Sequence, residues 1–268
     1  MTATGAEDRW TSGAPYERYV GRWSRPVAHE FLAWLDAPAG LDWLDTGCGT
    51  GALTGTIATD CRPGRLVGID TSAGFLDLAR QRLGPGGAEF HRADAQALPF
   101  AEGSFDRVVS GLMLNFVPDP PRAAMEMARV TRSGGEVALY VWDYAGKMEL
   151  MRHFWDAAAA LDPRGAELDE GKRFPICRPE ALRQVFEANG MLRDIETRAI
   201  DVPTTFRDFD DYWTPFLGGQ GPAPGYCASL PEDQRARLRE RLRAALPMLA
   251  DGSIRLTARA WAVRGRKA

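Results

Sequence analysis

Asp45, Gly47, Gly49 and Gly51 stand at alternate positions in LDTGCGTG, directly after a short apolar run. Glycine lets a backbone bend tightly and approach a ligand with no Cβ in the way, and a helix starting just beyond would offer unpaired N–H groups. The stretch GCGTGA also satisfies the Gly-x-Gly-x-x-Gly/Ala fingerprint of a dinucleotide site. The acid ahead of it points elsewhere. A carboxylate at Asp45 repels a pyrophosphate and suits an ammonium or sulfonium charge, met directly or through water. The plain alternative is a tight strand-to-helix turn with no ligand.

Two further acids follow. Asp70 closes the apolar run RLVGID roughly twenty residues beyond the glycines, where a carboxylate accepts both hydroxyls of a ribose. In RADAQALPF, Asp94 is placed to accept a hydrogen bond from an adenine amino group, Ala95 to offer its backbone N–H to the ring, and Phe75 to pack on the ring's face. Read blandly, Asp94 is a helix cap and Phe75 a core residue.

These residues need elements to hold them. Apolar positions from Pro26 to Leu35 recur at helical spacing, LDWLDTG is a strand, LTGTIATD a helix and RLVGIDTS a second strand. Ala73 to Leu83 reads as a helix, AEFHRADA as a short strand, SFDRVVSGLML as a strand running into a loop, and RAAMEMARVTR as a helix. A turn at SGG and the β-favouring run EVALYVW follow. Alternating strands and helices imply a parallel sheet with helices on both faces, binding ligands at the carboxyl ends of its strands. Beyond Asp143, KMELMRHFWDAAAAL and RPEALRQVFEANG read as helices, the latter stopped by Gly190, and MLRDIETRAIDVPT and SIRLTARAWAVRG as strands. About fifty residues separate those two strands, too many for a simple loop. FRDFDDYW and PEDQRARLRERLRAALPML are helical there, parted by GGQGPAPG, and suggest an inserted lid.

Composition narrows the partners. The 268 residues are 45% hydrophobic and 26% charged, enough for one large globular domain with an insertion. A net charge of −3 gives no field to gather nucleic acid. Five arginines from Arg235 to Arg243 are spaced by two, so they spread around a helix among acids and do not form a stripe. No apolar run reaches the roughly 20 residues of a membrane helix, and the polar N-terminus lacks a secretory pattern, so an intracellular, cytoplasmic protein is expected. Cys48, Cys61, Cys177 and Cys227 lie far apart, and His29, His91 and His153 have no helical pairing, so no metal is expected. A small-molecule partner fits best.

From Leu41 to Asp143 the chain resembles the class I S-adenosylmethionine-dependent methyltransferases, in particular the branch that includes the ubiquinone and menaquinone C-methyltransferases. LDTGCGTG looks like the first motif, GIDTSAGFLDLAR the second, RADAQALPFAEGSFDRVVSGLMLNFVPDP the third and fourth, and RSGGEVALYVW the next strand. The resemblance implies an α/β fold, a Rossmann-like seven-stranded sheet whose last strand is antiparallel, with the helical lid (about 206–250) inserted before that strand. Residues 1–40 form an N-terminal helical cap, 41–146 the cofactor-binding core, and 147–268 the rest of the sheet with the lid. It also implies that Gly47 and Gly49, with Cys48 between them, approach the methionine part of S-adenosylmethionine. Asp70, with Thr71 beside it, holds the ribose, Asp94 and Ala95 read adenine, and Leu112 touches the cofactor.

Some members use an N-terminal Tyr or Arg for the cofactor's carboxylate, which nominates Tyr19 and Arg22 in YERYVGRWSR, where Tyr16, Tyr19 and Trp23 fall near one face of a helical turn. Trp142 and Asp143 end the fifth strand. With Asn115, His153 and Tyr212 they are candidates for the acceptor side, Asp143 and His153 as general bases. Aromatic residues of the lid suggest an apolar or aromatic acceptor. RNA methylation, a nicotinamide-dependent oxidoreductase and a non-catalytic cofactor-binding module are the alternatives.

Overall fold

The computed structural model describes residues 17–219 and 221–268; Tyr16 and the residues before it lie outside them. Seven strands form one sheet in the order β3-β2-β1-β4-β5-β7-β6. They are β1 (Asp42–Thr46), β2 (Arg65–Asp70), β3 (Glu89–Arg92), β4 (Phe105–Gly111), β5 (Thr131–Trp142), β6 (Leu192–Phe206) and β7 (Ile254–Lys267). Strands β1 to β5 pair in parallel, and β7 lies antiparallel to β5, from Glu136↔Arg266 to Trp142↔Ala260. This is the sheet that the resemblance implied.

The chain divides into two compact units. The sheet unit holds Ser24–Trp142, Ile176–Ile200 and Ala260–Ala268; the helical unit holds the described residues through Trp23, Asp143–Pro175 and Asp201–Arg259. Both units are therefore interleaved in sequence.

In the sheet unit β1 is a central strand whose last four residues are all buried. That burial draws Asp45 inside along with Trp43 and Leu44. The helix Ala73–Leu83 has the expected bounds because its ends are coded: Ser72 accepts the Phe75 N–H at 3.3 Å, and Gly84 stops it at a φ of 70°. The helix Pro120–Val130 begins two residues earlier than its apolar pattern, since Asp119 caps it and proline suits a first helical position. One expectation is corrected. SGG is no separate turn: β5 runs unbroken from Thr131 and absorbs the glycines in an irregularity of register opposite Phe105 and Arg107.

The helical unit is held by aromatic rings. Phe154, from the helix Glu149–Ala159, stacks on Phe216 at 4.4 Å, and Tyr19 meets Phe216 edge-on at 5.3 Å. Trp155 joins Phe154 at 5.1 Å and Tyr226 at 5.7 Å. Tyr226 lies on the helix Pro222–Ser229, which starts inside the stretch expected to be a loop. Prolines at its first turn supply the needed φ, a signal that its glycines hide. Among the described residues no helix is long and apolar enough to cross a membrane.

Candidate active site

The loop after β1 turns on glycine. Gly47, Gly49 and Gly51 have φ of 70°, 54° and 84°, a left-handed conformation that side chains disfavour. At Gly47 space is as restrictive as conformation: a Cβ there would sit 2.3 Å from the Met113 side chain. The loop is fixed to β2 by the Cys48 N–H, which donates to the Ile69 carbonyl at 2.8 Å, and by the Gly49 N–H, which donates to Asp70 Oδ2 at 3.0 Å.

Asp45 is fully buried behind this loop. Thr54 donates its hydroxyl to Asp45 Oδ2 at 2.6 Å, while Oδ1 has no hydrogen-bond partner. Burial, reinforced by the nearby Asp70 charge and opposed by the Thr54 bond, pushes its carboxyl up to about 7. A buried carboxyl with a bare oxygen is incomplete, a state that a cation relieves. Burial also raises Asp70, against the lowering effect of the N–H groups of Ser72 and Gly49. Ser72 and Gly49 donate to one oxygen each, at 2.8 and 3.0 Å, and the Thr71 backbone also lowers Asp70.

A cavity of about 250 Å³ opens beside these groups in the sheet unit. It is lined by Gly47, Asp70 and Thr71, by Asp94, Ala95 and Gln96, and by Met113, Phe116 and Val117. Asp94 is exposed and accepts from the Gln96 N–H at 2.8 Å and from its side-chain amide at 3.1 Å, so a turn presents it to the cavity. Ala95 is buried beside it. Cys48 is buried, its thiol pushed well up by desolvation.

Phe75 does not line this cavity; Phe116, 37% exposed, does. Leu112 holds the left-handed φ of 62°, a strained choice for leucine, and it is the next residue, Met113, that reaches the cavity and Gly47. Sequence reading missed Met113, Phe116 and Gln96, because a loop after a strand has no periodicity to say which side chains turn inward. Asn115, on the one-turn helix Leu114–Phe116, is buried with neither amide atom hydrogen-bonded. Trp142 is buried at the end of β5.

The remaining candidates belong to the helical unit. Arg22 meets a carboxylate, that of Asp211 at 2.9 Å, and its guanidinium lies over the rings of Trp23 and Phe206. Tyr19 is buried with a bare hydroxyl. Asp143 accepts the Lys147 N–H at 2.9 Å within its own turn. Tyr212 donates its hydroxyl to the Leu150 carbonyl at 2.8 Å. His153 is half-buried, which lowers its pKa. Four arginines of the helix Glu232–Ala245 are spent on carboxylates: Arg235 on Glu232, Arg237 on Asp233, Arg239 on Asp210 and Arg243 on Glu240.

Residues 44–139 match the family described as methyltransferase domain. A 2-phytyl-1,4-naphthoquinone methyltransferase of Thermosynechococcus vestitus is 42% identical over 108 residues, 40% of this chain and 48% of the relative. A 2-methyl-6-phytyl-1,4-hydroquinone methyltransferase of Synechocystis is 28% identical over 82% of this chain and 75% of its own. The crystal structure of the YcgJ protein of Bacillus subtilis superposes with a TM-score of 0.60 at 18% identity, over 90% of this chain and 98% of that one. The chain spans only 28% to 48% of the length of the curated relatives at 35% identity or above named among its matches.

Proposed function

We propose that this chain, by its residues 44–139 a member of the class I S-adenosylmethionine-dependent methyltransferases, transfers a methyl group to a small acceptor. The observation that carries the reading is the pair Asp45 and Asp70. One is a buried acid with a bare oxygen, the other is tied to Gly49, and the glycine loop lies between them. That donor set fits the cofactor: Asp45 holds its ammonium group, Asp70 its ribose hydroxyls, and Gly47, Cys48 and Gly49 let its methionine part approach the backbone. Thr71 lies beside the ribose, Asp94 accepts from the adenine amino group, and the Ala95 N–H faces the ring. Met113 and Phe116 wall the base from the other side, the role that sequence reading had assigned to Phe75.

When bound, the cofactor supplies a methyl group on a sulfonium centre, electrophilic without further activation. The protein's share is to align an acceptor in line with that carbon and exclude water. Asn115 offers two unsatisfied amide atoms for the acceptor. Of the two proposed bases, burial lowers the pKa of His153, against the raising effect of Glu149 and Asp156, while Asp143 is engaged by a hydrogen bond in its turn. The acceptor is small and apolar or aromatic. The ion pairs along Glu232–Ala245 weigh against RNA, since arginines already neutralised release few counterions from a phosphate backbone.

Calorimetric titration with S-adenosylhomocysteine and, separately, with NADH tests the reading. Saturable binding of the first and none of the second is expected. NADH binding with no heat from the thioether would overturn it.

A further inference from the structure

Outside the cofactor site, the helical unit buries a second incomplete carboxyl. Glu170 opens the one-turn helix Glu170–Arg173 and is 1% exposed. Its backbone is anchored: Asp169 accepts the Gly171 N–H at 2.8 Å, and Arg152 clamps the Asp169 carboxylate with bonds of 3.0 and 2.7 Å. Trp155 donates its indole N–H to Glu170 Oε2, which fixes the carboxyl plane. Oε1 is left buried with no partner. Tyr19 stands on a π-helical turn, Glu17–Gly21, a distortion often found at functional sites, and its buried hydroxyl is also without a partner. Among charged groups, Glu170 acts on Tyr19 most strongly.

The titratable groups facing this pair are nearly all acids. Glu170 feels Asp169, already spent on Arg152, and, more weakly, Arg173; Tyr19 feels Tyr144, Tyr212 and Cys227. With no cation bonded to it, Glu170 is pushed by burial up to about 8. Trp155, with Phe154, Phe216 and Tyr226 linked to it ring against ring, supplies aromatic surroundings.

We propose that Glu170 and Tyr19 form a binding site for the ammonium group of a small amine. Two bare acceptor oxygens match a group that has three donors and no acceptor. A buried carboxyl without a counter-ion gains one, and aromatic walls favour a cation. An anion would meet mostly acids, with Arg152 already spent on Asp169, and a neutral hydroxyl would leave the carboxylate without its countercharge.

The test is calorimetric titration of benzylammonium chloride into the full chain at pH 7, in two buffers of different ionisation enthalpy. Because Glu170 ionises near 8, each ammonium bound displaces about 0.9 proton at pH 7, and affinity rises about tenfold per unit from pH 6 to 7 before levelling above 8. Benzyl alcohol and benzoate bind at least tenfold more weakly. Glu170→Gln loses tenfold or more in affinity together with the proton release, while Tyr19→Phe weakens binding several-fold and keeps the release. S-adenosylhomocysteine binding, measured alongside, verifies that each variant is folded. Benzyl alcohol binding as tightly as the ammonium, ammonium binding without proton release, absence of heat, or an unchanged Glu170→Gln each overturns the proposal. A chain that takes the ammonium but not the thioether overturns the methyltransferase reading and leaves this site standing.

Discussion

Asp45 and Glu170 are the same kind of group in two different settings. Each is a buried carboxyl with one oxygen bonded, to Thr54 or to Trp155, and the other bare, and burial pushes them up to about 7 and about 8. They differ in what surrounds them. Asp45 sits on a central strand beside a loop that follows it directly in sequence, and its charged neighbour Asp70 is bonded to that same loop. Glu170 is bonded by Trp155 and acts on Tyr19, residues drawn from separated segments. A site coded by adjacent residues leaves a motif; one assembled by packing leaves only composition.

The sharpest way to break this comparison is to remove the anchor that only the first site has. Asp70→Ala deletes two hydroxyl acceptors and the Gly49 tether, so affinity for S-adenosylhomocysteine should fall on the order of a hundredfold or more by calorimetry, at about 1.5–3 kcal/mol per charged hydrogen bond. Gly47→Ala tests the loop itself. A Cβ at a φ of 70° and 2.3 Å from Met113 should cost about 1–3 kcal/mol in chemical denaturation and weaken the cofactor site with it.

Asp45→Asn separates binding from stability. The folded carboxyl ionises near 7 and the unfolded one near 3.8, so the folded chain holds a proton that the unfolded chain has lost. Stability from this group is therefore full below about 4, is lost as pH rises to about 7, and is flat above. The asparagine variant should melt a few degrees higher than the parent at pH 8 without ligand, yet bind the cofactor more weakly. A lower melting temperature would show that Asp45 is satisfied in the free protein. The smallest effect distinguishes two rings: Phe116→Ala should weaken cofactor binding about fivefold, and Phe75→Ala should leave it within twofold, from the roughly 1 kcal/mol of a ring contact.

Legibility followed the same division. The alternation of strands and helices, the glycine turn and the places of Asp70, Asp94 and Ala95 at or just past strand ends were readable because a strand's end and the next helix's start are neighbours in sequence. Phe116 was not, since a single exposed ring on a one-turn helix carries no period. The run SGG read as a turn because glycines signal turns wherever they cluster, whereas here a strand absorbs them as an irregularity. The helix Pro222–Ser229 was hidden for the same reason. Arg22 was legible as a residue that seeks a carboxylate, but the partner that packing supplies, Asp211, lies 189 positions away. No local pattern could name it.

We propose that Asp45 completes its bare oxygen with the ammonium group of the bound cofactor. The most direct test is the dissociation constant of S-adenosylhomocysteine measured from pH 5.5 to 8.5 in parent and Asp45→Asn chains. Affinity of the parent should strengthen about tenfold per unit up to about 7 and then level, and the variant should be flat and weaker throughout. Parallel profiles in the two chains would contradict the account.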